Sequence, residues 1–235
     1  MSGPLGSSQW MYASGEDFTI DQSLRFDTTR KTYLAWTPST PTNQKIWTWS
    51  AWVKTDDNGT GHNYLLAAGT SGDQNDVIHF RADGEFEFGS YSLGYDHQLR
   101  TNALHRDPSA WYHFLIAFDT TQSTEANRIK MYVNGVDQSD TSVAGGFSIT
   151  NYPSLNATAG HINSAELHQI AKSVYSDGGY VGGYLGEVNF IDGTALTPSS
   201  FGETGTYGEW KPIEYEGTYG TNGFYLPFKQ DYTVE

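Results

Sequence analysis

Tryptophans on both faces of one extended run constrain this chain more than any other feature. Within residues 46–54, Trp47 and Trp49 alternate to one side of a strand, while Trp52 points to the other side. A strand with large rings on both faces is predicted to lie in the middle of a sheet that is covered on each side. We therefore expect residues 46–54 to form a central strand.

Shorter runs of the same alternating kind recur along the chain between turn signals. Residues 110–119 carry apolar side chains on both faces, and residues 127–133 alternate before Asn134 and Gly135, the strongest short hairpin signal in the sequence. One helical turn is expected after Thr197, which is followed by proline. Further strands are predicted at 22–26, 32–36, 64–68, 76–81, 85–89, 183–191 and 223–228, and residues 151–182 are expected to be irregular.

This rhythm predicts an all-β fold, a two-sheet antiparallel jelly-roll sandwich with at most one or two short helical turns. Aromatic residues make up 15% of the chain, so the core is expected to be built largely from rings. Residues 17–235 are predicted to form one domain, and residues 1–16 a lead-in that is either a tag remnant or an attachment arm. Contacts with other molecules are then expected only at sheet edges and loops.

Charge and composition exclude several classes of function. The net charge of −14 should repel phosphate backbones, which argues against nucleic acid as a partner. The absence of cysteine excludes disulfide scaffolds, thiolate zinc sites and cysteine nucleophiles. No apolar run approaches the roughly 18 residues of a membrane span, so we expect no membrane insertion.

Four runs resemble the laminin-G-like branch of the concanavalin A-like lectin/glucanase jelly rolls: WTWSAWVK at 47–54, WYHF at 111–114, IKMYVNG at 129–135 and GYLGEVNFIDG at 183–193. Four more are similar to jelly-roll domains in virion proteins of tailed phages, especially marine ones: QWMY at 9–12, SLRF at 23–26, RDPSAWYH at 106–113 and DGTALTPSSFGE at 192–203. The matching residues are core and turn positions, so the resemblance carries over no catalytic or ligand residue.

The resemblance implies a non-enzymatic structural module of a tailed phage, exposed on a fibre or on the extracellular surface of the virion. Its expected partners are other virion proteins and host-surface polysaccharide. A homo-oligomer is expected, with a trimer favoured because fibre proteins are commonly trimers. The resemblance also implies that the chain is the N-terminal module of a longer polypeptide. Two alternatives stay open: a glycan depolymerase or glycoside hydrolase domain, and a purely structural spike or a capsid or tail attachment domain.

The carboxylate pair of a glycoside hydrolase is incomplete in this sequence. Glu85 and Glu87 lie on the same face of a predicted strand, but a third acid in a Glu-x-Asp-x-x-Glu type run is missing. We therefore interpret them as exposed acids of an amphipathic strand and predict no catalytic residue.

Rings in loops are the better candidates for carbohydrate contact, because sugars stack on flat, exposed aromatic surfaces. The alternative for each is packing against a neighbouring subunit, the next domain or its own loop. The candidates are Tyr91, Tyr95, Asp96 and His97 in residues 90–97, Tyr175 and Tyr180 in the irregular stretch, and Tyr207 and Trp210 near the C-terminus.

Two oxygen-rich loops are candidates for binding calcium, a hard cation that selects oxygen ligands. The first supplies Asp56, Asn58 and Thr60, and the second supplies Asp73, Asn75 and Asp76. The first begins like an EF-hand loop but has Ala67 at the twelfth position, so it is not an EF-hand. The alternative for both loops is a solvated turn in which the side chains bond their own backbone.

Overall fold

In the described residues, 18–56, 61–158, 160–175 and 177–229, the computed structural model contains two seven-stranded antiparallel sheets. The predicted fold class, an all-β sandwich with one or two short helical turns, is confirmed. The strands are β1 (Leu24–Phe26), β2 (Leu34–Trp36), β3 (Ile46–Thr55), β4 (Asn63–Ser71), β5 (Gln74–Phe80), β6 (Glu85–Ser92), β7 (Tyr95–Leu104), β8 (Tyr112–Asp119), β9 (Ile129–Val133), β10 (Val136–Asp137), β11 (Phe147–Asn151), β12 (His168–Ile170), β13 (Gly183–Asp192), β14 (Gly202–Thr204), β15 (Trp210–Pro212) and β16 (Phe224–Leu226), and the two 3-10 turns are Glu125–Asn127 and Pro198–Ser200.

Strand order defines the two layers. Sheet A has the order β1, β13, β3, β8, β9, β10, and β16 also pairs with β13. Sheet B has the order β11, β7, β6, β5, β4, β12, β2. Strands β14 and β15 form a separate two-stranded sheet.

The tryptophan-bearing strand β3 is central in sheet A, as predicted, between β13 and β8. Trp47 and Trp49 are fully buried between the two sheets. The ring of Trp47 stacks on Phe118 with centroids 5.0 Å apart. Burial of a large apolar side chain stabilises a fold by roughly 1.5–3 kcal/mol. Trp52, on the opposite face of β3, is 7% exposed.

The outer face of sheet A is covered by the C-terminal part of the chain. The backbone N–H of Leu196 donates to Thr48 Oγ1 at 2.8 Å, and this hydroxyl donates to the carbonyl of Thr194. Farther along, Trp210 of β15 lies on His113 of β8. A second apolar cluster fills the space beneath this cover and consists of Leu115, Ala117, Ile191 and Phe201, with Tyr215 and Tyr219 packed against it.

The outer face of sheet B is much less covered. Among the residues that the structure describes, its apolar cluster consists only of Tyr64, Ala67 and Val77, with Val174 packed against it. The two outer faces of the sandwich are therefore unequal, and the open one belongs to β4, β5, β6 and β7.

The turn predictions are confirmed in position. Asn134 and Gly135 connect β9 to β10 with φ angles of 49° and 80°, the left-handed pair that a two-residue hairpin requires. The turn after Thr197 is the 3-10 turn Pro198–Ser200. The Thr197 side chain does not cap this turn, because its hydroxyl is hydrogen bonded to Ser199 Oγ and not to the backbone of the turn.

Two parts of the sandwich were predicted wrongly. Residues 90–97 were expected to form a loop, but β6 runs to Ser92 and β7 begins at Tyr95. The sequence of β7 is mostly polar, so its alternation carries little apolar signal. Within the irregular stretch 151–182, β12 pairs with both β4 and β2. Three residues are too few to show a periodicity of two.

Candidate functional site

A groove of about 250 Å³ lies on the open outer face of sheet B. Strands β4, β5 and β6 form its floor, and side chains from β7 and from the segment after β12 form its walls. This groove lies on the face of a sheet, whereas the sequence predicted contacts with other molecules only at sheet edges and loops. The groove is lined by His62, Tyr64, Gly72, Asn75, Val77, His79, Glu87, Gly89, Tyr91, Tyr95 and Tyr175.

Tyrosine rings form the walls of the groove. Tyr91 and Tyr95 meet edge to face with centroids 5.3 Å apart. Tyr64 and Tyr175 also meet edge to face, and their hydroxyls are hydrogen bonded to each other. At Gly89 a Cβ atom would lie 3.3 Å from the Tyr95 ring, so the absence of a side chain lets this ring lie close to the strand. Tyr95 and Tyr175 are 48% and 43% exposed.

A hydrogen-bonded chain of titratable side chains runs across the floor. The Nδ1 atoms of His62 and His79 are 3.1 Å apart. His79 Nε2 lies 3.2 Å from Glu87 Oε1, and Arg100 Nε donates to Glu87 Oε2 at 2.5 Å. The carboxylate of Glu87 is 1% exposed. A second arginine, Arg81, comes within 3.6 Å of the same carboxylate.

Burial and these contacts set the protonation states on the floor. Burial alone would raise the pKa of Glu87, but the hydrogen bonds from His79 and Arg100 outweigh it and lower the pKa. Burial lowers the pKa of His79, and the opposing effect of Glu87 does not cancel it. Burial also lowers the pKa of His62. At pH 7 the floor therefore holds an ionised Glu87 between two arginines and two neutral imidazoles.

Glu87 does not match the general acid of a glycoside hydrolase. A general acid must hold a proton near neutral pH, which requires a carboxyl group with a raised pKa. The pKa of Glu87 is lowered instead, so this carboxyl group does not meet the requirement. What the groove offers is a set of exposed ring faces above a hydrogen-bonded polar floor.

The structure brings together three of the predicted carbohydrate-contact residues. Tyr91 and Tyr95 are separated from Tyr175 by 80 or more positions in the sequence, yet all three line the groove. Asp96 is exposed beside Tyr95. His97 is a correction, because it is 3% exposed and packs between the sheets against Phe88 and Phe118. Its ring is not available to a ligand in the groove.

The other three predicted rings lie elsewhere. Tyr180 is 8% exposed and donates a hydrogen bond to Asp177. Trp210 is half-buried and donates from Nε1 to His113 Nδ1 at 3.1 Å, which is the packing role given as its alternative. Tyr207 is 94% exposed in the connection between β14 and β15. Both Tyr207 and Trp210 belong to the cover of sheet A, on the opposite side of the sandwich from the groove.

Of the two calcium candidates, only the second loop is described in full. Asn58 and Thr60 lie outside the described residues, and Asp56 is exposed. Asn75 and Asp76 are neighbours in β5 and point to opposite faces. Asn75 Nδ2 donates to the carbonyl of Gly72, and Asp76 Oδ2 accepts from the backbone N–H of Ile162. Asp73 is exposed in the turn before β5. In the part of the chain that the structure describes, no three His, Cys, Asp or Glu side chains converge as metal ligands.

Sequence reasoning missed His62, Tyr64 and His79 and interpreted Glu87 as an exposed acid. The available signal was that successive strands each place a polar or aromatic residue on the same face of the sheet. Tyr64 in β4, His79 in β5 and Glu87 in β6 are such residues. That signal needs the strand order of sheet B before the residues can be placed side by side.

No curated protein matches the sequence. Solved structures with a similar fold include the K499G mutant of NanB sialidase from Streptococcus pneumoniae, with 11% identity and a TM-score of 0.54 over 78% of this chain and 28% of that chain. Full-length tailspike protein 2 from Escherichia coli O157:H7 bacteriophage CAB120 matches with 13% identity and a TM-score of 0.50 over 76% of this chain and 23% of that chain. The matched region thus spans about a quarter of the sialidase chain and about a quarter of the tailspike chain. At these identities the similarity establishes the fold only.

The described residues contain no helix that is both long and apolar enough to cross a membrane. A family model for the concanavalin A-like lectin/glucanases superfamily matches residues 27–200, which contain most of both sheets and the whole groove. This chain therefore belongs to the concanavalin A-like lectin/glucanase superfamily.

Proposed function

We propose that this protein is a non-enzymatic carbohydrate-binding module that is exposed on a tailed-phage fibre or virion surface and binds host-surface glycans in the sheet B groove. The observation that carries the proposal is the convergence of Tyr91, Tyr95 and Tyr175 on one open sheet face. Sites for small ligands combine apolar or aromatic walls with a few fixed polar groups, and this groove has both.

The charge balance of the floor favours a neutral glycan. Glu85 and Glu87 are opposed by Arg81 and Arg100, so the floor carries no net charge. The chain as a whole has a net charge of −14 and would repel an anionic polysaccharide at low salt. A neutral hexose polymer needs no charged partner on the floor and is not repelled by the negative charge of the chain.

The virion context is supported by the resemblance of residues 23–26, 106–113 and 192–203 to jelly rolls of tailed-phage virion proteins. A bacteriophage tailspike shares the fold. In this setting other virion proteins are the structural partners, and a symmetric trimer is the assembly we expect.

The experiment is a glycan array that includes neutral bacterial polysaccharides, with affinities measured by calorimetry for the glycans that bind. We expect Tyr95→Ala and Tyr175→Ala each to weaken binding about tenfold, which corresponds to about 1.4 kcal/mol. Tyr207→Ala is the matched control, because Tyr207 is fully exposed on the opposite side of the sandwich. Equal loss in all three variants, or no binding by the unmodified protein, would contradict the proposal.

The depolymerase hypothesis has its own measurement. Release of reducing ends from a bound polysaccharide, abolished by Glu87→Gln or Glu187→Gln, would support it over a binding module. Glu187 is included because burial raises its pKa, although its carboxylate accepts a hydrogen bond from Tyr225 in sheet A. We expect no release from any glycan that binds.

The purely structural alternative treats the groove rings as subunit contacts. Leu93, at the tip of the turn between β6 and β7, is 80% exposed beside these rings, as an assembly contact would be before association. Sedimentation analysis of the full chain separates the two cases. An oligomer whose association is abolished by Leu93→Asp together with Tyr95→Ala, in a protein that binds no glycan, would favour the structural role.

A further inference from the structure

We propose that His62 and His79 form a two-histidine site for a borderline transition-metal ion, Cu²⁺, Ni²⁺ or Zn²⁺, on the floor of the groove. This site is separate from the calcium candidates and does not rest on glycan binding. Both imidazoles line the groove; His79 is only 2% exposed, so the ion would enter from the side of the half-buried His62.

The spacing of the two nitrogens fits a shared ion. Their Nδ1 atoms are 3.1 Å apart. With metal–nitrogen bonds of about 2.0–2.1 Å, this spacing corresponds to an N–metal–N angle of about 95–102°. Such an angle lies between a right angle and the tetrahedral value, so the spacing is compatible with square-planar, octahedral and tetrahedral coordination once the two rings turn and their lone pairs converge on the ion.

The surroundings of His79 are those of a metal-binding histidine. Ionised Glu87 can only accept hydrogen bonds, so His79 donates to it from Nε2. This leaves a lone pair on His79 Nδ1, which faces His62. Histidine ligands in proteins almost always donate their second ring N–H to a carboxylate or carbonyl in this way, which fixes the tautomer and raises ligand basicity. Arg100 in turn holds the carboxylate.

His62 needs one adjustment before it can bind an ion. Without metal it donates its Nδ1 proton to His79, so binding requires the tautomer in which that proton sits on Nε2. The ring stays neutral and no co-reactant is needed. His62 is half-buried just before β4 and also lines the neighbouring cavity beside Asn63 and Tyr180, so its ring has room to turn.

The ligand set determines which ions are expected. Imidazole nitrogens suit copper, nickel and zinc, whereas calcium and magnesium prefer oxygen. Two protein ligands leave the remaining positions to water, so the ion should exchange readily and be removed by EDTA. The order of divalent affinities should follow the Irving–Williams series, with Cu²⁺ bound more tightly than Ni²⁺ and Zn²⁺, and Mn²⁺ least.

The test is calorimetric titration of the full, EDTA-treated chain with CuCl₂, NiCl₂, ZnCl₂ and CaCl₂ in a non-coordinating buffer. We expect one equivalent of Cu²⁺, a weaker equivalent of Ni²⁺ or Zn²⁺, and no Ca²⁺ at this site. His62→Ala should lower the affinity at least tenfold. His161→Ala, which removes a histidine that is paired with Glu166 outside the groove, should leave the affinity unchanged.

Electron paramagnetic resonance of the Cu²⁺ complex gives a second readout that does not depend on fold stability. Hyperfine structure from two imidazole nitrogens is expected in the unmodified protein and from one in His62→Ala. Equal affinity and identical spectra in these two proteins would overturn the proposal, as would the absence of stoichiometric binding. Neither result bears on glycan binding, which the array measures without metal.

Discussion

His113 lies in β8 with a hydrogen-bond partner at each ring nitrogen. Trp210 Nε1 donates to Nδ1, so the imidazole proton sits on Nε2 and is donated to Ser50 Oγ. Burial lowers the pKa of His113 to about 3, so the ring is neutral at pH 7. At this scale the alternation of residues 46–54 predicted correctly that Trp47 and Trp49 share one face of a central strand. It could not show that Trp210 closes over His113, because that contact joins residues 97 positions apart.

Trp210→Phe tests whether this ring has a structural role. The variant keeps an aromatic ring on sheet A but leaves the buried Nδ1 of His113 without its donor, which should cost about 1–3 kcal/mol of unfolding free energy. Urea denaturation measures the loss. Glycan affinity should be unchanged, since Trp210 is not in the groove. Weaker glycan binding with unchanged stability would show that Trp210 contacts the glycan and does not stabilise the fold.

Turns and close contacts fix the register of the strands. Gly135 combines a positive φ with a position where a Cβ would lie 2.5 Å from the Trp210 ring. The dipeptide Asn134-Gly135 was enough to predict the β9–β10 hairpin. The β6–β7 turn escaped prediction because its tip, Leu93-Gly94, is preceded and followed by polar residues, and only the paired strands define it.

Gly135→Ala should destabilise the protein by about 1–3 kcal/mol, because the new methyl group overpacks against Trp210 and the backbone is strained. Gly94→Ala is the matched control: a Cβ there meets nothing within 4 Å, and its φ is not positive. We expect it to change stability by less than about 0.5 kcal/mol. Thermal or urea unfolding of both variants measures the two changes in stability. Equal destabilisation by both substitutions would contradict the role given to Gly135.

At the scale of the whole molecule, the two outer faces of the sandwich differ in how far they are covered. The C-terminal segment covers sheet A, while sheet B keeps an open groove whose floor is polar and whose walls are rings. The fold class followed from the strand pattern because alternation and turn chemistry are local. Which face stays open depends on where residues 194–219 pack, a long-range contact that local pattern does not encode.

Buried histidines predict acid sensitivity of the whole fold. Burial lowers the pKa of His105 to about 4 and that of His113 to about 3, and it also lowers the pKa of His97 and His168. The unfolded chain takes up these protons near pH 6.5, before the folded chain does. Stability is therefore complete above about pH 6.5 and falls as the pH drops toward 4, by up to about 1.4 kcal/mol per pH unit for each such histidine.

Urea unfolding at pH 7.5, 6 and 5 in 0.2 M salt measures this dependence while screening the self-repulsion of the acidic surface. The unfolding midpoint should decrease with each step. A midpoint that stays constant or rises between pH 7.5 and pH 5 would show that these side chains are protonated in the fold.

Chemical-shift mapping is the most direct test of the proposal that this protein binds a glycan in the sheet B groove. The ¹⁵N-labelled chain would be titrated with the neutral oligosaccharide that binds best on the array. The groove on sheet B predicts shifts concentrated at backbone amides of β5, β6 and β7 and around Tyr175, with β14 and β15 unaffected. Shifts confined to β14 and β15, or to the sheet edges, would contradict it.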